Sequence, residues 1–118
     1  MPSANDLRQR KCEPCEGHVN PLPSGDVAKL AAHVPAWKLV ADGRRIRREW
    51  LMKDFPAAID FFRRVGDLAE EEGHHPDLHL VGYRQMSIEL WTHAVNGLTE
   101  NDFILAAKID ELQVEVKA

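Results

Sequence analysis

Cysteine is scarce in this 118-residue chain: Cys12 and Cys15 are the only two, and they stand too close together to staple a fold. A structural zinc needs four protein ligands. Cys12, Cys15 and His18 look like half of such a site, but no second cysteine pair completes it. The C-x-x-C is therefore expected to be an unpaired dithiol or a redox-labile disulfide. No apolar run approaches the ~18 residues of a membrane span, and no charged-then-apolar leader opens the chain. A reduced, cytoplasmic protein with no membrane partner is expected. Excess charge of one sign is lacking as well: 15 Lys and Arg against 19 Asp and Glu leave a net charge of −4, which gives no reason to expect nucleic acid as a partner. Glycine-rich phosphate cradles are missing, and neither Ser87 nor Thr92 sits in a nucleophile elbow. H-E-x-x-H is absent, and adjacent histidines rarely both turn toward one ion, so a metal is not expected at the histidines.

What is present reads as one soluble domain, 44% hydrophobic and 29% charged, with a single core. Residues 1–23 hold four of the seven prolines and little apolar periodicity, and are read as a tail or an extended arm packed on the surface; residues 24–118 are the domain. Ser24 is the expected N-cap of a short helix with Val27, Leu30, Ala31 and Val34 on one face, ended by Pro35. A strand over residues 37–41 turns through Asp42-Gly43 into a second strand over residues 44–52, with Ile46 and Trp50 on its apolar face. Arg44, Arg45, Arg47 and Arg48 crowd that strand, which suggests a charged sheet edge or a docking surface for an acidic partner. The main helix starts at Asp54 and runs to a left-handed cap at Gly73, with Phe55, Ile59, Phe62, Val65 and Ala69 as its core stripe. A short extended segment over residues 78–81 and a strand in which Met86, Ile88 and Leu90 alternate with polar residues follow. Thr99-x-x-Asp102 resembles a capping box for a last helix with Leu105, Ile109, Leu112 and Val116 on one face. Helix, two strands, helix, two strands, helix gives an α+β two-layer sandwich.

Three of the six histidines, His74, His75 and His93, fall at the ends of these elements rather than on solvated faces. Histidine is the side chain best suited to moving protons near neutral pH. Glu70, Glu71 and Glu72 close the main helix where carboxylates oppose the macrodipole by about a few tenths of a kcal/mol each. Glu71 and Glu72 read as a solvated face. Glu70 lies four residues before His74, so it is the expected partner of that imidazole, and a carboxylate beside an imidazole fixes its tautomer. Pro76 biases His75 toward extended backbone. The two adjacent rings should then point in opposite directions, one into a pocket with His93 and the other toward its rim.

Glu70-x-x-x-His74-His75-Pro76, then Tyr83, His93 and Asp102 at their spacings, resembles the signature of the pterin-4a-carbinolamine dehydratases. The likeness runs from about residue 24 to residue 112 and includes Trp37 and the Gly97-Leu98-Thr99 helix entry. It implies a four-stranded antiparallel sheet with three helices on one face, homodimers or homotetramers joined through edge strands, and dehydration of a 4a-hydroxytetrahydropterin without metal or organic cofactor. On this resemblance His74 and His93 are the acid–base candidates and His75 holds the pterin ring with Pro76 beside it. Glu70 tunes a histidine or contacts the pterin edge. Asp102 does the same or serves only as a helix cap, and Trp37 forms part of the pocket wall. Leu78 stands where animal members commonly carry an aromatic residue.

The stretches 73–83, 91–95 and 97–109 are also similar to dehydratase-like proteins of plastids and carbon-fixing bacteria, some of them implicated in Rubisco assembly. That resemblance implies a catalytically weak binding module whose partner is the Rubisco large subunit, with carboxysome association. The arginine strand and the Cys-bearing arm would then serve as contact surfaces. A role as transcriptional coactivator, known in animal members, is a third implication.

Overall fold

Period-two alternation builds the middle of the sheet, because a strand turns successive side chains to opposite faces. The structure, a computed structural model, describes residues 4–13 and 20–117; Cys15 and His18, and with them the pairing of the C-x-x-C, lie outside the described residues. In chain order the elements are α1 (Ala4–Gln9), α2 (Ser24–Ala31), β1 (Lys38–Val40), β2 (Arg45–Leu51), α3 (Phe55–Glu72), β3 (Asp77–Val81), β4 (Gln85–Leu90), a 3-10 turn (His93–Val95) and α4 (Glu100–Asp110). The four strands form one antiparallel sheet in the order β1-β2-β4-β3. Trp50 pairs with Met86, Arg48 with Ile88 and Ile46 with Leu90, so one face carries the buried apolar row and meets the helices. This is the expected two-layer α+β sandwich. The turn into β2 also forms as expected, with the Arg44 N–H donating to the Ala41 carbonyl at 3.2 Å and both Asp42 and Gly43 at positive φ.

Four expectations change. β2 lies in the middle of the sheet, not at its edge. Its arginines are tolerated there because acids on neighbouring strands meet them. Arg45 reaches Glu89 at 3.3 Å and Asp77 at 3.8 Å, and Arg47 reaches Glu49 at 2.9 Å. Arg48, on the buried face, pairs with Asp110 and lies 4.7 Å over the Trp50 ring.

On α3 the buried stripe is Ala58, Phe61, Val65, Ala69 and Glu72, while Phe55 and Ile59 are about half exposed. Two adjacent ridges of that helix are apolar, and Trp50 selects between them by stacking on Phe61 with ring centroids 5.5 Å apart.

α4 is buried on every side from Asn101 to Ala107, rather than along one stripe, and stops at Asp110; Val116 bridges to Met52 instead. A helix apolar all round needs cover on all sides, and the N-terminal segment supplies part of it. Rather than an extended arm, residues 4–9 form α1, which packs on α4 and buries Leu7 completely. Burying such a side chain is worth about 1.5–3 kcal/mol.

Candidate active site

The loop between α3 and β3 is shaped by one glycine. Gly73 sits at φ 66°, a conformation that costs a residue with a Cβ and that glycine adopts freely. Its N–H donates to the Glu70 carbonyl at 3.3 Å, and the next N–H, that of His74, reaches back to Ala69 at 3.2 Å. These two bonds are those of a Schellman turn. The turn breaks the helical period, and this reassigns the carboxylates. Glu70 Oε1 meets His75 Nε2 at 2.9 Å, both side chains well exposed, and does not serve His74. An i to i+4 pairing assumes a helix that continues, and here it does not. A solvated pair of this kind contributes little stability.

His74 turns inward. Its Nε2 lies 2.6 Å from Asp102 Oδ1; the ring is 11% exposed and the carboxylate fully buried. An ionised carboxylate only accepts hydrogen bonds, so Nε2 carries the proton and Nδ1 is left to exchange one. Asp102 is itself held from behind. Its Oδ2 accepts the Thr92 hydroxyl at 2.8 Å and the Thr99 N–H at 3.0 Å, and the Thr92 and Thr99 hydroxyls lie 2.8 Å apart. The capping box therefore forms, and the same carboxylate both starts α4 and anchors the imidazole.

His93 follows Thr92 directly and opens the 3-10 turn, exposed, with its ring stacked on Trp91 at a centroid distance of 3.9 Å. Trp91 is fixed in turn by donating Nε1–H to Asp77 Oδ2 at 2.9 Å and by the Arg45 guanidinium 4.3 Å from its ring. The described contacts thus bring together His74, Asp102 and Thr92, with His93 beside Thr92 in the chain. His75 and Glu70 form a separate outward pair, and Pro76 is half-buried in the link to β3. Trp37 is elsewhere: it is 3% exposed, edge-on to Trp50 in the core, and its Nε1–H donates to Asp110, eight residues along α4 from Asp102. Hollows of about 410 Å³ beside Trp50 and Val81 and about 810 Å³ beside Pro56 and Glu115 lie away from these histidines. Among the described residues no group of three His, Cys, Asp or Glu side chains is placed to hold a metal ion.

Sequence reasoning missed Thr92 and Trp91 as supports, named Thr99 only for the capping box with Asp102, and misread Glu72. Instead of a solvated face, Glu72 is 7% exposed and bonded to Lys108 Nζ at 2.8 Å and the Cys12 N–H at 2.9 Å. Burial alone would push its carboxyl up, but those two donors outweigh burial and hold it below the ordinary glutamate range. Cys12 is a free, buried thiol, pushed up to about 12 by burial and by the Glu72 charge.

Residues 20–112 match the family model described as pterin 4 alpha carbinolamine dehydratase. The chain is 51% identical over 116 residues to the Arabidopsis thaliana pterin-4-alpha-carbinolamine dehydratase 2, mitochondrial, covering 96% of this chain and 62% of that protein. A Methylococcus capsulatus protein provisionally given the dehydratase name is 45% identical over 95% of this chain and 97% of its own length. Both matches reach into the N-terminal segment that precedes the family model. A solved structure of a transcriptional coactivator/pterin dehydratase from Brucella melitensis superimposes with a TM-score of 0.71 at 30% identity, covering 77% of this chain and 96% of that one.

Proposed function

The chain belongs to the pterin-4-alpha-carbinolamine dehydratase family, a family of hydro-lyases, and from that premise we propose that it dehydrates a 4a-hydroxytetrahydropterin by histidine acid–base chemistry without a metal. The carbon–oxygen bond at C4a breaks and the oxygen leaves as water with a proton from an acid. A ring N–H gives its proton to a base and its electron pair to the new C=N bond, so the quinonoid dihydropterin forms with no net proton change. The observation that carries this reading is the 2.6 Å bond between His74 and the buried Asp102. It fixes the ring and leaves Nδ1 as the exchanging atom. His74 and His93 are the acid–base pair: the charged ring protonates the departing oxygen and the neutral one takes the nitrogen proton. His75 and Glu70, exposed at the rim, hold the pterin ring and its polar edge. Asp102, fully buried, acts through His74 and is a positioning residue. Trp37 serves the core. Homo-oligomer contacts are assigned to the sheet edges, β1 and β3.

Stopped-flow mixing of the purified protein with 4a-hydroxytetrahydropterin should show acceleration over the spontaneous rate, unchanged by chelators, with His93→Ala losing roughly 10²-fold or more. Wild-type protein that matches the spontaneous rate and binds the Rubisco large subunit instead would favour the assembly reading. That reading drew on the arginine strand and the Cys-bearing arm, and Arg45, Arg47 and Arg48 of β2 are paired within the chain.

A further inference from the structure

We propose that residues 10–13 are a strap that sets the geometry of the His74/Asp102 pair, with Glu72 and Asn101 as its positioning residues. What that geometry is for rests on the dehydratase reading; the strap itself rests on contacts within this chain. His74 comes two residues after the end of α3, and Asp102 sits in the first turn of α4. The hydrogen bond between them spans the gap between two helix ends. The strap crosses the same gap with contacts on both sides.

On the α3 side the Cys12 N–H donates to Glu72 Oε1 at 2.9 Å, and the Lys11 ammonium donates to the Glu71 carbonyl at 2.9 Å. The second contact places a cation on an orphan carbonyl of a helix terminus that otherwise carries only acids, which is where a positive charge is favoured. On the α4 side Asn101 brackets the backbone of Glu13, accepting its N–H at Oδ1 (3.0 Å) and donating Nδ2–H to its carbonyl (2.5 Å). The Cys12 thiol donates to the Asn101 carbonyl at 3.5 Å, and Arg10 pairs with Glu100. Lys108 closes the frame from within α4 by holding the second oxygen of Glu72 at 2.8 Å. Each of these groups lies within three residues of His74 or Asp102 or bonds to one that does. Cys12, Glu72 and Asn101 are buried, so their bonds are not exchanged freely for bonds to water.

A displacement on the order of 1 Å at a catalytic group costs about 10²-fold in rate. Loosening one side of the strap is therefore expected to lower kcat by roughly tenfold. KM should stay within about twofold, because His75 and Glu70 lie outside the frame.

The test uses the full chain with Asn101→Ala, Glu72→Leu and Glu72→Gln, reading kcat, KM and the proton NMR signal of the His74 Nε2–H. That signal is assigned by its loss in His74→Gln. Asn101→Ala and Glu72→Leu should each broaden or lose the signal and lower kcat at unchanged KM. Glu72→Gln keeps an oxygen to accept from Cys12 but turns its NH₂ toward the Lys108 ammonium, so it should hold more of the signal and of kcat than Glu72→Leu while falling short of wild type. Variants that keep the signal and the wild-type kcat while losing only thermal stability would overturn the strap and leave α1 and residues 10–13 as packing. If Asn101→Ala does not fold, the contrast between Glu72→Gln and Glu72→Leu decides. If wild type proves inactive the dehydratase reading fails, and the imidazole signal still tests the strap.

Discussion

Asp102→Asn is expected to lower kcat by roughly 10²- to 10³-fold, the range of a lost acid–base function, with a clear fall in Tm. Three donors converge on this carboxylate: His74 Nε2–H, the Thr92 hydroxyl and the Thr99 N–H. An amide of the same shape has one oxygen, and either orientation fails. With its NH₂ toward His74, the ring must accept at Nε2, so the proton moves to Nδ1 and the exchanging atom loses its lone pair. With its NH₂ toward Thr92 and Thr99, a buried donor faces two donors at the start of α4. An unsatisfied buried group there costs about 1–3 kcal/mol. Thr92→Val separates the two effects. It removes a support of Asp102 but not the His74 bond, so stability should fall with kcat changed far less than in Asp102→Asn. Dehydration kinetics together with thermal unfolding of both variants check this. An Asp102→Asn protein within about twofold of wild-type kcat would contradict the role given to the pair.

The largest expected loss of stability is at Phe61. Phe61→Ala should cost about 3–5 kcal/mol, the usual penalty for emptying a buried aromatic site. That corresponds to a fall in Tm of roughly 10–20 °C for a domain of this size. Phe61 is 1% exposed and stacks on Trp50, which is edge-on to Trp37. The aromatic cluster joins α3, β2 and the residue before β1. Phe55→Ala, one turn and a half away and 49% exposed, should stay within about 0.5 kcal/mol of wild type. Urea unfolding of the two variants reads the difference directly. Equal losses would mean that α3 presents its other ridge to the sheet.

That pair of variants also marks where reading the sequence succeeded and where it ran out. β4 was legible because Met86, Ile88 and Leu90 alternate with polar residues, and a period of two has one solution. The ends of α3 were legible because Asp54 and Gly73 act locally: the Asp54 carboxylate accepts the Ala57 N–H at 2.9 Å, and Gly73 takes the left-handed conformation. The stripe between them was not, since Phe55 with Ile59 and Ala58 with Phe61 both satisfy helical spacing and only Trp50 chooses. β2 looked like an edge because its neutralising acids, Glu89 and Asp77, come from strands some 30 to 40 residues later. α1 carried too few residues for a period, and the apolar run Phe103-Ile104-Leu105-Ala106-Ala107, which calls for cover on all sides of α4, was read only as one stripe.

At the site, Pro76 and the strand period led to adjacent rings that point apart but left open which of His74 and His75 turns inward, and His74 and Asp102 were both candidates. Their pairing with each other was not legible, because Asp102 lies 28 residues later on α4, and Glu70 was given to His74 because the helical i to i+4 reach was carried across the expected Gly73 turn. The buried role of Glu72 was hidden for a different reason: its cation, Lys108, lies 36 residues away on α4.

The proposed function requires His74 to exchange a proton with the pterin from a ring held by Asp102. Single-turnover dehydration by His74→Ala, followed with and without free imidazole in solution, tests it most directly. A loss of roughly 10²-fold or more, partly restored by added imidazole, is the predicted result. A His74→Ala protein that dehydrates the substrate at the wild-type rate, indifferent to imidazole, would contradict it.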